Sequence, residues 1–285
     1  MTVEVILGIV VLCLSLENVF QKMYNCNTNP QRIGIYGFNL ISIVAGLIIF
    51  LLMPKTEKEL PFDIYFYAGA FAVAFLSARY FKLRAIGEGP LSLTSLITSY
   101  SLLIPTFYGV FFLKESLTTL NIAGMILLFI SLYFVSEAKG SGAISGKWIV
   151  FIGIAFVGNG MCSTIQKLYQ LKSGGEFKAE FMIIALIIIA VALLILTVFK
   201  EKSIPVPKPK NGSGLAICLG VANAVVNMFV MMLAKYPAAV VFPTIQGGSI
   251  VIIYLISKFC FKEKLSINQN VGFCLGVFSI VFLNM

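Results

Sequence analysis

Apolar residues fill this chain in blocks of about 20, and Lys and Arg punctuate the blocks instead of gathering into one patch. The blocks run roughly over 3–23, 33–53, 63–85, 90–113, 117–136, 147–168, 179–199, 213–235, 238–261 and 266–285. Each is long enough, as a helix, to cross about 30 Å of hydrocarbon. The pattern predicts an all-α membrane protein of about ten transmembrane helices. Gly140-Ser-Gly-Ala-Ile-Ser-Gly146 reads as a flexible joint at mid-chain, and Ile204-Pro-Val-Pro-Lys-Pro-Lys-Asn-Gly212 as a stiff, basic connector between the seventh and eighth blocks.

The second regularity is internal. Phe111 to Gly124, FFLKESLTTLNIAG, is echoed by Phe259 to Gly272, FCFKEKLSINQNVG, with Lys114 and Lys262 standing 148 residues apart. The same shift carries Ser101 onto Ser249, Glu115 onto Glu263 and Ser131 onto Ser279. Further forward, Phe20-Gln-Lys-Met-Tyr24 answers Ile165-Gln-Lys-Leu-Tyr169 at an offset of 145, a difference that loop-length changes would produce. A repeat of this kind is settled before anything else is read. It divides the chain into units 3–136 and 147–285 with five helices each. An odd number per unit makes the second copy enter the membrane from the opposite side. Two inverted five-helix repeats are the arrangement of secondary transporters, whose substrate site lies at the midplane between the copies.

Composition agrees and narrows the classes. The 285 residues are 59% hydrophobic and 12% charged, with a mean hydropathy of +0.97, against the roughly 25% charged of soluble domains. The net charge of +9 is spread over loops and interfaces, so no nucleic-acid partner is implied. Thr2 and Glu4 stand where a signal peptide would be basic, and the first block is read as a retained helix. The six cysteines show no CxxC spacing and read as packing residues. Histidine is absent, which removes His-based triads and the commonest metal ligand. Neither metal nor cofactor is expected, and no enzymatic activity.

The layout, the Lys-Glu pair before a helix with an internal glycine, and the run LRAIGEGPLSLTSLITSYSLLIPTFYGVFFLKESLTTLNIAG resemble the EamA-type transporters of the drug/metabolite transporter superfamily. The resemblance covers nearly the whole chain as two EamA-like units. Gln246-Gly-Gly248 departs from the pattern where the first unit has Thr98-Ser-Tyr100. It implies a secondary transporter working by alternating access on a small-molecule substrate, multi-pass in a bacterial plasma membrane among lipid, as a monomer with both termini inside. On that topology only seven of the 21 Lys and Arg fall on the inner side, against the positive-inside rule. A proton-coupled exporter of cationic or hydrophobic drugs is the alternative, and a non-transporting receptor a third reading.

Of the twelve acidic residues only Glu17 lies well inside a predicted span. A carboxylate there costs roughly 2.5–3.5 kcal/mol on insertion scales, so it should face the interior. It reads as a proton-coupling or cation site, or as a structural group bonded to a neighbouring helix. Gln21, one turn on, shares its face. Arg79 reads as an anion clamp, a counter-ion of Glu17, or a side chain snorkelling outward. The repeat sets Asn227 opposite Arg79, and the two are expected where the third and eighth helices cross. Asn223 precedes Asn227 by a turn, and Asn159 begins a polar stripe on the sixth helix. Thr98 and its mate Gln246 are the cavity-lining candidates of the hydroxyl-rich fourth helix and of the ninth, where Gly247-Gly248 could loosen the helix. Glu17, Gln21, Thr98, Asn159, Asn223, Asn227 and Gln246 are expected to converge on one cavity, because polar groups facing lipid are costly. Lys22 and Lys167 read as snorkelling, and Glu115 and Glu263 as groups fixing the helix that follows them.

Overall fold

The computed structural model describes residues 2–25, 33–88, 97–98, 101, 103–135, 146–201, 212–259 and 267–283. Their α-helices are α1 (Val3–Asn25), α2 (Ile35–Leu52), α3 (Asp63–Glu88), α4 (Leu103–Phe111) and α5 (Thr119–Val135), then α6 (Gly146–Lys172), α7 (Lys178–Leu196), α8 (Ser213–Met232), α9 (Ala238–Phe259) and α10 (Ile267–Leu283). A π-turn, Thr197–Glu201, prolongs α7, and a 3-10 turn, Leu233–Lys235, prolongs α8. No strand occurs among the described residues. Six segments are long and apolar enough to cross a membrane: Val3–Gln21, Ile35–Leu52, Asp63–Lys82, Gly146–Lys172, Lys178–Glu201 and Ser213–Lys235. Thr119–Ser131 and Asn270–Ser279 are shorter apolar helices. Of the expected fourth block, 90–113, only α4 and a few residues before it are described, and both expected connectors lie almost wholly outside the described residues.

The elements end where the chain supplies a reason. Pro61 and Pro237 stand just before α3 and α9, where a missing amide is harmless. The α6–α7 turn is made by Gly174 and Gly175 at φ +62° and +83°, a region that suits glycine. The N-terminus of α2 offers unpaired amides, and Glu201 accepts hydrogen bonds from the amides of Tyr36 (2.7 Å) and Gly37 (3.1 Å). A carboxylate there satisfies the donors and the helix dipole together.

Among the described residues most of the principal helix contacts follow one rule, the packing of α9 on α10 being an exception. α1 packs on α8 and α9, and α6 packs on α3 and α4; α2 packs on α8, and α7 on α3. Adding or subtracting five from both helix numbers turns each of these pairs into another of them. α2·α7, α4·α9 and α5·α10 map onto themselves. The expected crossing of the third and eighth helices is not a principal contact: α3 lies on α6 and α7. The largest core joins α2, α3, α6 and α7 through Phe50, Ile64, Phe71, Phe181 and Ile189, and a second joins α1, α8 and α9 through Ile6, Val10, Leu233, Val241 and Ile245. Large apolar side chains such as Phe66 and Phe199 stay exposed, at 74% and 75%, as lipid permits.

Three helix contacts are tight enough to require glycine, one of them between Gly160 of α6 and the Ser101 carbonyl oxygen just before α4, which a Cβ would approach to 2.6 Å. A Cβ on Gly158 of α6 would sit 2.8 Å from the Ala74 carbonyl oxygen of α3, and one on Gly220 of α8 would collide with the Ser42 carbonyl oxygen of α2. Small residues let helix backbones touch where lipid gives no hydrophobic drive to associate. The echoed tyrosines also act alike. Tyr24 stacks on Phe38 with ring centroids 3.8 Å apart, and Tyr169 on Phe181 at 5.0 Å.

Candidate functional site

Glu17 is 6% exposed, in the middle of α1. Asn223 of α8 donates to both its carboxylate oxygens, at 3.3 and 3.2 Å. Asn227, a turn further along α8, donates to the Asn223 side-chain oxygen at 3.0 Å and to its carbonyl at 2.8 Å. Gln166 of α6 then donates to the Asn227 side-chain oxygen at 2.7 Å. A continuous polar chain thus runs from α1 through α8 to α6. Gln166 was noted in the sequence only as the mate of Gln21; the duplicated Gln-Lys-x-Tyr was the signal that could have promoted it.

The remaining candidates do not join that chain. Asn159, an exposed residue of α6, donates to the Ser101 hydroxyl at 2.6 Å, and Ser101 donates to the Thr98 carbonyl at 2.7 Å. Ser249, the mate of Ser101, makes the same bond to the carbonyl of Gln246 at 3.2 Å. The side chains of Gln21 and Gln246 are half-buried and make no hydrogen bond among the described residues. By their hydrogen bonds among the described residues, the seven polar candidates fall into a Glu17 group with Asn223 and Asn227, an Asn159 group with Thr98, and the two amides Gln21 and Gln246. α9 stays helical through Gly247 and Gly248, which is not the loosening expected there; a Cβ on Gly248 would sit 2.8 Å from Val11, so that glycine serves the approach of α1.

Arg79 stands apart again. Its Nη1 donates to the Asn39 side-chain oxygen of α2 at 3.1 Å, and its guanidinium lies 4.9 Å from the Phe75 ring centroid. It makes no ion pair with Glu17, although its charge acts on that carboxylate across the interior. Arg79, Asn39, Tyr36, Tyr80, Leu193 and Leu196 line, with their neighbours, a cavity of about 290 Å³ between α2, α3 and the end of α7. Asn39 was not singled out in the sequence, and nothing in its local pattern marks it.

Two sequence readings are corrected at the other end of the bundle. Lys167 does not snorkel. It is 6% exposed, forms an ion pair with Glu115, and donates to the Tyr236 carbonyl at 2.8 Å. Glu115 does not fix the following helix, α5: its second oxygen accepts the Ala238 amide of α9 at 2.7 Å. One buried clasp therefore ties the turn after α4 to α6 and to the start of α9. Surface pairs Lys58–Glu176 (2.5 Å) and Lys172–Asp63 (2.6 Å) join the α2–α3 and α6–α7 turns at the same end. Glu263 and the side chain of Lys22, the mates of the clasp, lie outside the described residues. Among the described residues no cluster of His, Cys, Asp and Glu is built to hold a metal.

Residues 2–137 match the family model described as the EamA-like transporter family. No curated protein matches the chain significantly. A solved structure titled "Crystal structure of protein" is 12% identical and superposes with a TM-score of 0.77, covering 98% of this chain and 98% of its own. At that identity the likeness is one of fold.

Proposed function

We propose that the chain is a multi-pass membrane transporter of the EamA-like family that moves a small metabolite by alternating access, a reading supported by the match of residues 2–137 to that family's model and by six segments long and apolar enough to cross a membrane. The translocation path lies between two inverted five-helix repeats, 3–136 and 147–285, ten spanning helices in all, in the plasma membrane of a bacterium. The exchange of packing partners on adding five to each helix number supports the repeat, as do the paired Tyr–Phe stacks and the paired Ser101 and Ser249 bonds. The observation that carries the transport reading is the polar chain Glu17–Asn223–Asn227–Gln166. It links α1 to α6 and α8, helices of both halves, at a depth where polar groups mark substrate or ion pathways.

The test begins with thermal-shift screening of the purified protein against a metabolite library, since a true ligand stabilises by mass action. Hits are then assayed for counterflow in liposomes. Exchange of a hit across the bilayer is the expected result; specific binding without any exchange would favour the receptor reading. Proton coupling through Glu17 is favoured by one feature: among the described residues its hydrogen-bond partner is a neutral amide.

A further inference from the structure

We infer that the cavity beside Arg79 is the substrate site of the proposed transporter, and that it takes a small organic anion: a carboxylate on an apolar body, without an amine. The inference rests on the transport reading for its role, and on the cavity itself for its chemistry.

The charge balance points to an anion. A guanidinium offers five N–H donors, and among the described residues Arg79 spends one, on Asn39. Asn39 is itself held, since its amide donates to the Ile35 carbonyl at 2.8 Å, which aims its oxygen at Arg79. Lys82 follows on α3, half-buried, and Arg84 donates to the Tyr80 hydroxyl at 3.2 and 3.1 Å on the cavity wall. Two carboxylates lie in the neighbourhood, and neither pairs with Arg79. Glu201 is spent on the α2 amides, and Glu17 on Asn223. An excess of positive charge in a low-dielectric wall is expensive unless a mobile anion completes it. The planar fork suits a carboxylate, which accepts two parallel bonds.

The rest of the cavity describes the body of the ligand. Phe75, Leu76, Phe81, Leu193 and Leu196 present apolar surface, and Phe75 holds the guanidinium on its ring. The volume of about 290 Å³ stands at the low end of small-molecule pockets. That volume suits a compact acid. An ammonium group would meet Arg79, so a cationic drug is disfavoured here.

Equilibrium binding of phenylacetate to the purified protein in zwitterionic nanodiscs tests the site, with phenylacetamide, phenethylamine and inorganic phosphate as comparison probes. Phenylacetate is expected to bind, and the neutral amide and the amine to bind at least about tenfold more weakly. Arg79→Gln is expected to weaken phenylacetate by about ten- to a hundredfold, the value of a charge-assisted bond. Leu193→Trp, which fills the cavity and keeps the charge, should abolish binding, so the test stands even if Arg79→Gln misfolds. Equal binding of acid and amide, or indifference to Leu193→Trp, would overturn the proposal. So would preference for inorganic phosphate, or loss of phenylacetate binding in phosphatidylglycerol nanodiscs; the latter would make Arg79 a lipid-headgroup contact. Binding is read without transport: phenylacetate bound but not exchanged defeats the transport reading alone, and exchange of other solutes with no phenylacetate binding defeats this one alone.

Discussion

At the scale of single residues, Glu17 and Lys167 show what burial does to a charge in lipid. Glu17 has amide hydrogen bonds and, among the described residues, no cation in contact, which is the arrangement the proposed proton coupling needs. Glu17→Gln keeps the shape and removes the titration. In liposomes it is expected to retain substrate exchange and to lose acceleration by a pH gradient; an undiminished response would reduce Glu17 to a packing group. Lys167 is the opposite case, a cation whose partner Glu115 shares its burial. Removing one member of a buried pair leaves the other uncompensated, at a cost of about 3–5 kcal/mol. Glu115→Ala should therefore lower thermal stability sharply, and adding Lys167→Met should restore much of it. A double variant as unstable as the sum of the two singles would mean the charges are independent. The sequence marked both residues by duplication but misjudged them. Apolar runs show where a lysine leaves the membrane, not whether a carboxylate from another helix waits for it there.

At the scale of helices, the elements were legible because each apolar run is closed by a proline, a glycine or a charge. Their partners were not, since an apolar face in lipid does not say which neighbour it meets. Asn223 and Asn227 shared a face by spacing alone, and the structure adds that α1 and α6 meet that face. Gly158 and Gly220 looked like any other small residues until the backbones opposite them were seen. Gly220→Ala places a methyl against the Ser42 carbonyl, and α2 and α8 must part to admit it. A loss of about 1–3 kcal/mol is expected, the usual cost of overpacking. Gly8→Ala, where a Cβ meets nothing within 4 Å, should be neutral or gain up to about 1 kcal/mol from helix propensity. Thermal unfolding of the two variants side by side checks both signs.

At the scale of the whole molecule, the proposed repeat is supported by the exchange of partners among most of the principal helix contacts. Three of the basic residues on the end that also carries the termini, Lys58, Lys167 and Lys172, are paired with acids, so a raw count of Lys and Arg misreads how much free charge that end presents. Pro207→Cys in a cysteine-free background is expected to react with an impermeant thiol reagent added outside intact cells, placing the 204–212 connector opposite the termini; labelling only after permeabilisation would reverse the orientation. The glycine seams reach furthest. Each binds a helix of one half to a helix of the other, α3 to α6 and α2 to α8, backbone against backbone. Under the proposed alternating access, a seam closed on carbonyl oxygens resists sliding and disfavours rocking of the two halves as separate lids. The proposed moving bodies would then be mixed, each carrying one helix from either half, like interleaved fingers. A covalent cross-link between α3 and α6 should then leave exchange running, and loss of exchange on that cross-link would defeat this arrangement.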